Sequence, residues 1–81
     1  MTPSPLIVEL QELNRTGKLR TLYRMGIIQK RYQMMLEVWE QMDKEIRLGV
    51  PIMQAYANTA QTVGISESYV RYLCNLATSK P

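Results

Sequence analysis

The chain has 81 residues, 46% of them hydrophobic and 21% charged, with one cysteine and no histidine. That length allows one small domain, positions 1–81, which buries only about 60% of its unfolded surface. The residue set rules out an internal disulfide, a Cys/His zinc site and any mechanism that uses a histidine base.

In chain order, Pro3 and Pro5 cannot lie inside a helix, but either can open one, with Thr2 or Ser4 as N-cap. Leu6, Leu10 and Leu13 recur at helical spacing, and Gly17 supplies a stop. A short second helix is predicted from Lys18 to Met25, closed by Gly26, so that positions 1–26 form an N-terminal helical segment. The strongest periodicity follows over 27–48. Ile28, Tyr32, Met35, Trp39, Met42 and Ile46 draw one apolar seam along a long helix, with Leu36 and Val38 left beside it. Asp43 and Arg47, and Glu40 and Lys44, are spaced for ion pairs in the favourable orientation. Gly49 ends that helix and Pro51 starts the next. Two more helices, about Pro51–Val63 and from after Ser66 to about Ala77, complete an all-α fold of four to five helices. No segment alternates as a strand does.

The net charge of +3 is unevenly spread. Positions 13–36 hold Arg15, Lys18, Arg20, Arg24, Lys30 and Arg31 with no acid, and Glu37, Glu40, Asp43 and Glu45 follow. A basic block favours polyanionic partners through phosphate contacts and counterion release; the alternative is an ordinary solvated surface. The clustered carboxylates read as a solvated acidic face.

Tyr56 to Asn75 resembles the helix-turn-helix of bacterial and phage DNA-binding proteins. The resemblance rests on Ala60, where two helices must approach closely, and on Gly64 at the turn between Val63 and Ile65. Ser66 as N-cap, then Val70 and Leu73 on one face, complete it. Thr59 departs from the usual pattern, which is more apolar there. The resemblance implies that positions 51–77 bind double-stranded DNA, with the second helix in the major groove. Carried over, the groove-facing residues are Ser66, Glu67, Ser68, Arg71, Tyr72 and Asn75. Arg71 suits guanine, Asn75 adenine and Glu67 cytosine. Glu67 can equally serve the positive helix end, and Tyr69 can face inward.

Positions 48–81 carry only Arg71 and Lys80 against Glu67, so phosphate contacts must come from the basic block, in particular Lys18, Arg20 and Arg24. The resemblance further implies a small transcriptional regulator or a mobile-element accessory protein. The alternative is a helical assembly module without DNA binding. A homodimer through helix 28–48 and the N-terminal segment is expected, because the seam and its leftover Leu36 and Val38 exceed what the N-terminal helix can cover. No enzyme, cofactor, metal, membrane partner or small-molecule ligand is expected: no nucleophile–base pair or phosphate loop is present, and Cys74 and the methionines suit packing. A lone thiol without a secretory leader points to the cytosol.

Overall fold

The computed structural model describes residues 3–78, which form five helices and no strand. Thr2 and Lys80, named above as N-cap and cation, lie outside the described residues. Helix α1 spans Pro5–Arg15, α2 Lys18–Arg24, α3 Lys30–Arg47, α4 Ile52–Val63 and α5 Glu67–Thr78. Ser4 caps α1: its Oγ accepts from the Ile7 N–H at 3.3 Å, with Pro5 as the first helical residue. The Ser4 N–H donates to the Ala77 carbonyl at 2.8 Å, which ties the start of α1 to the end of α5.

The long helix begins two residues later than its seam suggests. The N–H groups of Ile27 and Ile28 both donate to the Leu22 carbonyl, at 3.0 and 3.4 Å, so Ile28 belongs to the turn that closes α2. Pro51 sits one position outside α4, and its carbonyl accepts from the Ala55 N–H at 2.9 Å. The expected Asp43–Arg47 pair forms at 2.9 Å.

Helix α3 is the centre of the packing: α1, α4 and α5 lie against it, and α2 lies against α1. Leu36 and Val38, at 100° per residue, stand about 160° apart on either side of the seam. Both are nevertheless buried, at 3% and 0% exposed, and Trp39 is at 5%. The apolar surplus expected on 28–48 is therefore covered within one chain, whereas Leu6, Val8, Met25 and Ile27 of the N-terminal segment, the other part of the expected dimer surface, remain exposed. Three helices share the task given above to the N-terminal segment alone, and together they cover a wider arc of α3.

Two buried polar groups lack partners among the described residues. They are Trp39 Nε1 and Thr59 Oγ1, the latter on a fully buried residue. An unmet buried hydroxyl costs about 1–3 kcal/mol. Thr59→Val, which keeps the shape and removes the hydroxyl, is expected to stabilise the chain by about 1 kcal/mol. That corresponds to a rise of about 4–8 °C in the melting midpoint for a domain of this size. Thermal denaturation followed by circular dichroism measures it; an unchanged or lower midpoint would show that the hydroxyl is satisfied.

Candidate nucleic-acid interface

The turn between α4 and α5 is built from Gly64, Ile65 and Ser66. Gly64 takes φ +82° and ψ 34°, a left-handed conformation that a side chain would strain. In that conformation the N–H groups of Gly64 and Ile65 both reach the Ala60 carbonyl, at 2.9 and 3.1 Å, and close α4. Ala60 is buried, and Val63 and Ile65 are half-buried against the core. Ser66 then caps α5, its Oγ accepting from the Tyr69 N–H at 3.1 Å.

From this start α5 divides cleanly. Val70, Leu73, Cys74 and Ala77, at i, i+3, i+4 and i+7, are buried against the core. Ser68, Arg71, Tyr72 and Asn75 repeat the same spacing on the opposite side, and all four are exposed. The helical period moves Glu67 off this stripe, toward its margin in the first turn, where a carboxylate complements the positive helix end. Ser66 is exposed, but its hydroxyl is engaged as the cap. Tyr69 is half-buried and belongs to the edge of the core.

The exposed stripe has two differently built edges. On one, α4 holds Arg71: the guanidinium carbon lies 5.2 Å from the centre of the Tyr56 ring, and Nη2 lies 3.6 Å from Met53 Sδ. A guanidinium over an aromatic face gains about 0.5–1 kcal/mol at an exposed site and loses rotamer freedom in advance. On the other edge, Tyr72 stacks on Tyr69 with centroids 6.1 Å apart and planes at 11°. There Tyr72, Leu73 and Leu76 share a groove of about 320 Å³ with Leu6, Tyr32 and Arg31. Arg31 lies over the Tyr32 ring at 5.0 Å and donates to the Tyr32 Oη at 3.1 Å. That hydrogen bond raises the pKa of a guanidinium that is charged at any ordinary pH.

The basic block is divided among three helices. Arg15 is committed within α1, donating to both carboxylate oxygens of Glu12, and it lowers the Glu12 pKa. Lys18, Arg20 and Arg24 are exposed on α2, which packs on α1, whereas α5 is held by α3 and α4. Of the block, Arg31 is the residue that lines a groove together with α5. Sequence reasoning passed over Tyr56 and Met53 because no local spacing links them to Arg71. Nothing local in the sequence separates Arg31 from the rest of the block.

Burial raises the Cys74 thiol above its ordinary range, which leaves it protonated and inert. Glu40 is also raised, by partial burial and by the neighbouring Glu37. No helix among the described residues is long and apolar enough to cross a membrane. Comparisons with protein families, with curated proteins and with solved structures find no match for this chain.

Proposed function

We propose that this chain binds double-stranded DNA by laying the exposed stripe of α5 in the major groove. The observation that carries this reading is Arg71, exposed on α5 and held in place by Tyr56 of the preceding helix. A preoriented guanidinium presents its donor fork with less entropy left to lose, which suits bidentate contact to guanine O6 and N7. Asn75 and Ser68 lie one turn to either side on the same stripe, and Tyr72 offers a ring and a hydroxyl beside them. A helix is about as wide as the major groove, so such a stripe reaches base edges when the flanks meet phosphates. The role that fits is a small cytosolic DNA-binding regulator or mobile-element accessory protein, with no enzymatic activity.

The second reading, a helical assembly module, is favoured by the apolar groove beside Tyr72. Leu6 and Leu76 there are 41% and 40% exposed. Titration of a fluorescently labelled duplex at low salt separates the two. Saturable binding at micromolar concentration or tighter, weakening steeply with added salt, supports DNA binding. No binding at any salt concentration removes it and leaves the assembly reading.

A further inference from the structure

We propose that Arg31, at the start of α3, is the phosphate contact flanking α5, in the role expected above of Lys18, Arg20 and Arg24. The proposal rests on duplex binding through α5 and names the ligand of its second edge: a phosphodiester group of the DNA backbone.

Three features of that edge converge. The first is position. A helix seated in the major groove has a phosphate strand along each side, and Arg31 shares one groove with Tyr72, Leu73 and Leu76 of α5. The α2 cations sit on a helix packed against α1.

The second is charge. The residues lining the groove with Arg31 are Leu6, Tyr32, Met35 and the three from α5, and none is acidic. By contrast, Arg15 and Arg47 are paired with Glu12 and Asp43. Lys30 lies next to Arg31, both in the first turn of α3, which holds no acidic residue and whose N-cap, Gln29, makes no side-chain capping bond. The positive end of an 18-residue helix thus adds to the two cations.

The third is order. Stacking on Tyr32 and the hydrogen bond to its hydroxyl hold the exposed guanidinium, so less freedom is lost when a phosphate binds. These features also supply charge that the α5 stripe lacks, since Arg71 is its single cation.

The test is the salt dependence of duplex affinity for the unmodified chain, Arg31→Ala, Arg31→Lys, Lys18→Ala, Arg20→Ala and Lys44→Ala, with folding checked by thermal melts. Each phosphate contact contributes about 0.9 to the slope of log affinity against log salt concentration. Arg31→Ala is expected to lower the slope by about that amount and to weaken all sequences alike. Arg31→Lys should restore most of the slope, and Lys44→Ala, which removes one charge elsewhere, should leave it unchanged. A slope untouched by Arg31→Ala while the chain still binds, or one lowered instead by Lys18→Ala or Arg20→Ala, overturns the assignment to Arg31 alone. Absence of binding by the unmodified chain overturns duplex binding itself, and the Arg31 contact falls with it.

Discussion

Trp39→Asp is expected to unfold the chain. Trp39 is 5% exposed inside a cluster with Met35, Leu36 and Met42, and its indole fills space that a carboxylate cannot. Removing a buried tryptophan costs about 3–5 kcal/mol through lost burial and the remaining cavity. An unpaired buried charge adds about as much again, unless the aspartate is protonated. At about 0.05–0.15 kcal/mol per residue, a chain of 81 residues holds about 4–12 kcal/mol in total, so the substitution consumes most or all of it. Circular dichroism should show loss of the cooperative thermal transition. Light scattering across concentrations supplies the contrast: a Trp39→Asp chain that keeps its helices and halves its mass would show that α3 holds two copies together and is not the core of one.

Arg71→Ala is expected to be the largest single loss in sequence preference. One good bidentate contact is worth about 1–3 kcal/mol of discrimination, or about 5–150-fold in affinity for the preferred site over its variant. The loss should fall on one base position and leave affinity for unrelated duplexes nearly unchanged. Arg71→Lys should recover little, because an ammonium neither forks to guanine nor stacks on Tyr56 as a guanidinium does. Tyr56→Leu should relax the same position by a smaller factor, and Tyr56→Phe should restore it, since the ring face and not the hydroxyl holds Arg71. Selection from a random duplex library reads all four variants. An unchanged preference in Arg71→Ala would remove this residue from base recognition.

Much of the fold was legible because its signals are local. The Leu6, Leu10 and Leu13 spacing, the stops at Gly17, Gly26, Gly49 and Gly64, and the caps at Ser4 and Ser66 each act within a few residues. The division of α5 into a buried and an exposed stripe follows from the same helical period. What stayed hidden depends on how helices cross. Leu36 and Val38 looked surplus because periodicity shows which residues are apolar and not how many neighbours cover them. Arg71 and Tyr56 meet only because the Gly64 turn brings α5 against α4. The basic block read as one patch, yet Gly17 and Gly26 divide it among three helices. Arg15 turns to Glu12, the α2 cations stay with α1, and Arg31 lines a groove with α5.

The most direct measurement is amide and side-chain chemical-shift mapping while a duplex is titrated into the labelled chain at low salt. Binding through α5 predicts shifts at Ser68, Arg71, Tyr72 and Asn75 and at the Arg31 guanidinium, with Lys18, Arg20, Arg24 and the acidic side of α3 unmoved. Shifts confined to α2, or a spectrum that duplex leaves unchanged throughout, would contradict it.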